Sequence, residues 1–413
     1  MEDPIIEKTK VENIVKEVGR EQDKLVEEMK SSYFVNNLVK QISSTIHGSP
    51  KDYGLDCLRF VISSHSPKIP ITDPETRMVR FVRGSEAHLL TGLPGTGKSS
   101  WYAVIESQGL NVVKTQIATQ GGILGTPVDQ GLTEFLKFSV WLLPEAEFCL
   151  TNPTIVNILR TLIEEQELGK TSAYVVSRTR LLKIHSAVSL SLVFLPKTSK
   201  EYQLLSRLYR VRFDYESFEE VFDIGEKLSQ NLMSIPKTAE SFEPEPRHYL
   251  GLIANKIVEL GLKENRFFCT LSQEHKKELY NTWKNLVIEN YGPKIPKGIS
   301  LRDLTEGFRS AQNHGLLNLF QRETVKQGSL NILQLTEEDL KHGLMFMEEV
   351  VKSRSEYETE EMKETRFRIP LKTIVQVYEL YKQGLSLRDI ADKLNIGKST
   401  VSNYLRQMGV ESE

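Results

Sequence analysis

Cysteine is scarce in this chain: Cys57, Cys149 and Cys269 stand far apart among 413 residues. No CxxC pair or Cys/His cluster accompanies them. Neither a disulfide framework nor a zinc site is therefore expected, and all three read as small buried hydrophobes. Long apolar runs are missing as well. Nothing approaches the ~20 residues of a membrane-spanning helix, and the charged N-terminus lacks the apolar segment of a signal peptide. A soluble cytoplasmic protein with no membrane partner is the expectation. Nor is there an excess of charge of one sign, since 53 Lys/Arg stand against 55 Asp/Glu for a net charge of −2. Any surface for a polyanion has to come from local segregation of charge.

What is present is enough for two or three domains with real cores, 39% of the residues being apolar. The most informative stretch is His88-Leu89-Leu90-Thr91-Gly92-Leu93-Pro94-Gly95-Thr96-Gly97-Lys98-Ser99-Ser100. A strand-like run leads into Gly-x-x-x-x-Gly-Lys-Ser, the full P-loop pattern. Gly92, Gly95 and Gly97 let the backbone wrap so that successive N–H groups, with Pro94, Thr96 and Ser100 in the same wrap, point at phosphate oxygens. Lys98 adds a point charge at the β/γ-phosphates, and the Ser99 hydroxyl supplies one Mg²⁺ position. The helix expected from Ser99 to Glu106 aims its positive end at the same phosphates. The competing account, a Gly-rich turn with an incidental lysine, is disfavoured by the strand–loop–helix context. ATP with Mg²⁺ is the expected ligand.

Around this loop the chain alternates strands and helices. Residues 4–30 suit an amphipathic helix, either a docking arm or a solvated helix on its own domain. Two helices fill 33–63, broken at Gly48-Ser49-Pro50. Strand-like runs follow at Met78–Val82, Asn111–Lys114, Ser139–Leu143 and Val188–Phe194, with an amphipathic helix from Asn152 to Glu167 stopped by Gly169. Tyr174–Ile184 reads as a hairpin with Arg178, Arg180 and Lys183 at its basic tip. Glu145, directly after an apolar strand, is the candidate for polarising an attacking water, while Pro144 holds the preceding position where an acid would order the Mg²⁺ shell, with Glu147 as a substitute for that acid. A surface glutamate after a buried strand is the plain alternative. Together these runs predict an α/β fold, a parallel sheet flanked by helices with the nucleotide at its carboxyl edge.

The order of these pieces resembles the minichromosome maintenance (MCM) replicative helicases of the AAA+ class. Arg83–Ser99 resembles that family's strand and P-loop, Leu159–Gln166 the helix after its acidic motif, and the 177–184 hairpin its pore-lining hairpin. Leu204-Leu205-Ser206-Arg207 is similar to its arginine-finger motif. Ile299–Glu306 with Arg309-Ser310-Ala311 is similar to its sensor 2 helix, and Leu335–Leu340 to the following lid helix. The resemblance implies a P-loop AAA+ module with a helical lid, in a homo-oligomeric ring, a hexamer, around single-stranded DNA. Lys98, Glu145, Arg207 and Arg302 would be its catalytic set, the two arginines reading the γ-phosphate. Departures from the family are specific. Pro144 replaces its Asp, Leu195 stands where a water-orienting Asn is expected, and Leu208-Tyr209 follows Arg207. Only about 90 residues precede the P-loop, too few for its N-terminal domain.

The C-terminus carries a local charge excess. Residues 366–406 hold eight Lys/Arg against three acids, after a polar, acid-rich linker at 353–365. Leu371–Lys382 reads as one helix, Ser386 caps a second at Leu387–Leu394, and Lys398–Met408 forms a third across the turn Asn395-Ile396-Gly397. Ala391, Ile396 and Val401 supply the core, and the pattern resembles a helix-turn-helix of the resolvase or homeodomain-like kind. Its contacts to duplex DNA would be Lys398, Ser399, Thr400, Ser402, Asn403 and Arg406. The expected division is an arm at 1–32, an ATPase core at 33–230, a lid at 231–352, the linker, and a DNA-binding domain at 366–413. Three functions are open on this reading: a ring-forming helicase or translocase, which is preferred, an ATP-controlled DNA-binding initiator or regulator with little unwinding, and a structural ATP-binding subunit without turnover, which requires Glu145 to be misplaced.

Overall fold

The computed structural model describes residues 19–43, 53–72, 75–92, 95–115, 137–146, 166–168, 175–176, 181–182, 185–192, 208–213, 218–231, 245–291, 299–355 and 371–407, with positions 150, 156, 159 and 163. Among the described residues, three helices precede the central sheet: α1 over 19–29, α2 Phe34–Ser43 and α3 Gly54–Ser63. In α2 the buried residues Phe34, Val35, Leu38 and Ile42 recur at helical spacing, which lays one stripe on the core. Met29 at the end of α1 is buried in that same core.

Among the described residues, ten strands follow in the first half of the chain. They are β1 Ile69–Thr72, β2 Val79–Val82, β3 Ala87–Thr91, β4 Val112–Lys114, β5 Lys137–Leu143, β6 Gln166–Leu168, β7 Val175–Val176, β8 Leu181–Leu182, β9 His185–Leu192 and β10 Tyr209–Arg212, with α4 Lys98–Gln108 between β3 and β4. Five of them form one sheet in the order β10-β3-β9-β5-β4. All four pairings in it are parallel. Every residue of β3 is buried, as expected of a central strand covered on both faces. The chain leaves β3 through α4 toward the β4 edge, whereas after β9 it crosses β3 to reach β10. Connections diverging on either side of one strand create a crevice at the carboxyl edge, where ligands of open parallel sheets bind.

One expected helix is shortened by the structure. The amphipathic pattern runs to Glu167, and positions 156, 159 and 163 are helical, but Gln166–Leu168 is a strand paired antiparallel with β2. The open hydrogen-bonding edge of β2 takes up those residues, a tertiary choice that local propensity does not encode. The hairpin expected at 174–184 has its stem, Val175–Val176 paired with Leu181–Leu182.

The second half is mainly helical: α5 Phe218–Asn231, α6 Pro246–Glu259, α7 Gln273–Tyr291, α8 Ile299–Leu317 and α9 Glu337–Ser355. A small sheet of β11 Phe267–Thr270, β12 Thr324–Gln327 and β13 Leu330–Gln334 is set among them, in the order β11-β13-β12. One continuous apolar core runs from Met29 to Val351, joining sheet and helices. A separate cluster of Val377, Leu380, Ile390, Ala391, Val401, Tyr404 and Leu405 holds together α10 Leu371–Lys382, α11 Leu387–Leu394 and α12 Lys398–Gln407. No described helix is long and apolar enough to cross a membrane.

A buried ionic network locks the sheet to the helices. Glu86, 1% exposed, precedes β3 and takes Arg59 Nε of α3 at 2.8 Å and Asn313 Nδ2 of α8 at 2.9 Å on one oxygen. Its other oxygen lies 2.7 Å from His88 Nε2, and its backbone N–H donates to Ser63 Oγ at 3.0 Å. Arg59 also meets Asp56 at 2.8 Å and lies 4.3 Å from the ring centroid of Phe346 in α9. Next door, Arg309 and Gln312 of α8 donate to the carbonyls of Arg83 and Pro67. Gly84 must be glycine here, because a Cβ would sit 2.0 Å from the Pro67 oxygen.

Burial alone would raise the Glu86 pKa, but Arg59, His88 and Asn313 more than offset it and hold it at about 2. A depressed carboxylate contributes stability above its ordinary 4.5 and loses it as pH falls through about 2. Glu86→Ala should cost ~3–5 kcal/mol in urea unfolding at neutral pH, since it strands a buried guanidinium. The gap between wild type and variant should narrow on acidification across that window. A pH-independent difference would remove the carboxylate from this role.

Candidate functional site

The P-loop sequence sits at the carboxyl end of β3, beside the sheet's crevice. Gly92 follows the strand with φ of 150°, and Gly95 and Gly97 also have positive φ, 89° and 99°. Gly92 is enclosed: a Cβ would lie 2.4 Å from the Phe213 oxygen and 2.9 Å from Thr96 Oγ1. Gly95 faces open space, with nothing within 4 Å of an added Cβ. The loop therefore has a packed inner wall and an open outer one. Leu93 and Pro94 lie outside the described residues.

Gly97 is the N-cap of α4, in the left-handed conformation with no side-chain cap, and the first turn of α4 carries no acid. The positive end of that helix is thus not neutralised from within its own first turn. Trp101, Tyr102, Val104 and Ile105 bury its inner face and fix its direction. Lys98 Nζ folds back to donate to the Gly92 carbonyl, closing the loop on itself. Thr96 is buried, Ser99 exposed, and Ser100 half-buried. An open left-handed glycine, a helix N-terminus and a lysine together make a cradle for an anion such as a phosphate chain. The Ser99 hydroxyl, exposed at its rim, is the group in it that suits a magnesium ion.

Glu145 is exposed in the turn after β5, with φ of 59°. A left-handed non-glycine residue costs on the order of 1–3 kcal/mol and tends to mark functional positions. Leu143, the last residue of β5, pairs with Leu190 of β9, which pairs with Leu89 of β3. Glu145 follows at the carboxyl end of β5, on the same edge of the sheet as the loop, with β5 two strand spacings or ~10 Å from β3. The Ala146 N–H donates to the Ser191 carbonyl at 3.0 Å, tying this turn to β9.

Arg210 of β10 was not singled out by any motif, yet its Nε donates to Thr91 Oγ1 at 2.9 Å, next to the loop. Only the crossing of β10 to the far side of β3 brings it there, so no local signal marks it. Among the remaining expected residues, Arg178, Arg180, Lys183, Arg207, Glu147 and Leu195 lie outside the described residues. Arg302 is in the first turn of α8, whose middle is fixed at residues 83–86. Nothing is described of its side chain.

In the C-terminal unit, Ser386 and Asp389 form a capping box at the start of α11, with Asp389 N–H donating to Ser386 Oγ at 3.3 Å. Asn395 closes α11 in the left-handed conformation. Val401, Tyr404 and Leu405 turn inward, while Lys398 and Ser399 are exposed and Thr400 and Ser402 half-buried. Asn403 and Arg406 belong to α12, their side chains being outside the description.

No family model matches this chain, and no curated protein matches it.

The two glycines separate packing from strain. Gly95→Ala should destabilise by ~1–2 kcal/mol, the cost of a left-handed alanine. Gly92→Ala should cost clearly more, because its Cβ also collides with the Phe213 carbonyl. Denaturant midpoints of the two variants compare them directly, and equal losses would mean that Gly92 is not enclosed.

Proposed function

We propose that this chain is an MCM-like AAA+ ATPase acting on DNA, a ring-forming helicase or translocase that hydrolyses ATP with Mg²⁺. The observation that carries the reading is the joint position of the Gly92–Ser99 loop and Glu145. Both follow the carboxyl ends of strands in one parallel sheet, β3 and β5, which are separated only by β9. In this reading the loop's N–H groups and Lys98 hold the β/γ-phosphates, and binding ATP moves Lys98 from the Gly92 carbonyl to phosphate. Glu145 accepts a proton from the attacking water, on the side of the crevice across β9. A magnesium ion on Ser99 would neutralise charge on the phosphate oxygens. Arg207 from a neighbouring subunit and Arg302 from α8 would stabilise the charge that develops on the γ-phosphate. Arg178, Arg180 and Lys183 on the hairpin would face single-stranded DNA in the channel, with salt-sensitive phosphate contacts.

The C-terminal three helices read as a helix-turn-helix for duplex DNA. In support, α11 and α12 share a core with α10 through Ile390, Ala391 and Val401, the tight turn is made by left-handed Asn395, and Lys398 and Ser399 stand exposed at the start of the third helix. Helix N-terminal residues are those that reach base edges in such readers. The second functional reading is an ATP-controlled DNA-binding initiator or regulator. Pro144 favours it, since the residue beside Glu145 offers no carboxylate to the metal's surroundings.

Steady-state ATP hydrolysis with and without single-stranded or forked DNA distinguishes the two. The motor reading expects turnover stimulated by DNA, lost in Lys98→Ala with nucleotide binding, and lost in Glu145→Gln with binding retained. Intact ATP binding without turnover in the wild type would instead support the regulator. Deleting 366–413 should weaken affinity for duplex DNA at least tenfold while sparing ATP binding. An unchanged duplex affinity would remove the DNA-reading role from these helices.

A further inference from the structure

We infer that His314, Glu338 and His342 form a site for a zinc-class divalent cation that staples α8 to α9. The three residues bring one ligand atom each within 4.8 Å of one another. Glu338 and His342 are four residues apart in α9, so they project from the same face of that helix. His314 arrives from the last turn of α8 and stacks on His342, ring centroids 3.8 Å apart at 22°. Imidazole lone pairs lie in the ring planes, so taking up an ion turns the His342 ring out of this stack. No cysteine takes part, which is why the scarcity of cysteine says nothing about this site.

The surroundings prepare the ligands. His314 Nδ1 lies 2.7 Å from Asp339 Oδ1 in a pocket where the imidazole is 2% exposed. A carboxylate at Nδ1 fixes the tautomer and leaves Nε2 with the lone pair that a metal would take, the arrangement found behind most metal-binding histidines. Asp339 is itself held by Arg322 at 2.9 and 3.0 Å and by the Thr336 N–H and hydroxyl at 2.8 and 3.0 Å. That clamp leaves His314 little freedom to turn away. Glu338 meets Arg322 through Oε2 at 3.0 Å, which leaves Oε1 for an ion.

Chemistry selects the cation. Two imidazoles and one carboxylate suit zinc and its neighbours, whereas magnesium and calcium prefer sets made only of oxygen. Ligand atoms on a zinc tetrahedron stand ~3.4 Å apart. Glu338 is exposed and His342 half-buried, so rotation of these side chains closes the set onto an ion without moving either helix. Three protein ligands leave the fourth position to water.

The test uses the full chain stripped with a chelator and titrated with Co²⁺ and Zn²⁺ alone. Expected are one saturable equivalent, visible d–d absorption of tetrahedral intensity with Co²⁺, and a rise in melting temperature with Zn²⁺. His342→Gln and Glu338→Gln, at accessible positions where folding should survive, are each expected to weaken binding by more than the ~10–100-fold that loss of an outer-shell partner costs. They should also abolish the zinc-dependent melting shift. No saturable binding by the wild type would overturn the site. So would affinity unchanged in His342→Gln, which would assign the metal to another of the eight histidines. ATP hydrolysis does not enter these readouts.

Discussion

A single carboxylate that cannot be left alone sets the plan of this protein. Glu86 stands at the foot of β3 with almost no access to water, where an unpaired charge would cost several kcal/mol. Its partners come from three elements far apart in sequence: Arg59 in α3, His88 in β3 and Asn313 in α8. Satisfying that one group therefore requires the N-terminal helices, the sheet and the later helical half to be assembled together. The apolar core that crosses from Met29 to Val351 is the continuous packing counterpart of the same demand. Arg59 is held twice over, by two acids and against the face of Phe346.

From that fixed foot, β3 is only five residues long, ~17 Å at the usual rise. Whatever happens at its upper end is measured against a rigid lower one. The upper end is tied to β10, through the Phe213 N–H to the Thr91 carbonyl at 2.8 Å and through Arg210 to the Thr91 hydroxyl. The neighbouring residue on β10, Tyr209, points the other way and donates its hydroxyl to Glu349 of α9. Two successive residues of one edge strand thus touch the start of the P-loop and the last long helix of the core. Alternation of side chains along a strand makes this possible.

Much of the site could be read in one dimension, for a physical reason. A phosphate cradle is built from consecutive backbone groups, so Gly92, Gly95, Gly97 and Lys98 carry their geometry in local spacing. The same holds for Ser386, Ala391 and Asn395, where capping, close helix approach and a left-handed turn are decided within a few residues. Strands β6 and β10 were not legible in this way. Each is three or four residues long, too short for a period to show, and each exists because a distant partner strand offers an edge. In the small sheet β11 likewise depends on a distant partner, β13, whereas β12 and β13 form a local hairpin.

The sequence by itself determined the strand–loop–helix order around Gly92–Lys98, the loop that can wrap an anion, and the separate three-helix unit at the C-terminus. These follow from interactions within a turn or two of chain, whose energies depend on neighbours in sequence. Only the tertiary structure decided that Glu145 and the loop share one edge of the sheet, that Arg210 reaches Thr91 beside the loop, that Arg59, Glu86 and Asn313 meet, and that His314 stacks on His342. Those pairings join residues from 27 to 227 positions apart, and they are selected by the cost of burying charge and by strand register. Neither term exists until the chain has folded.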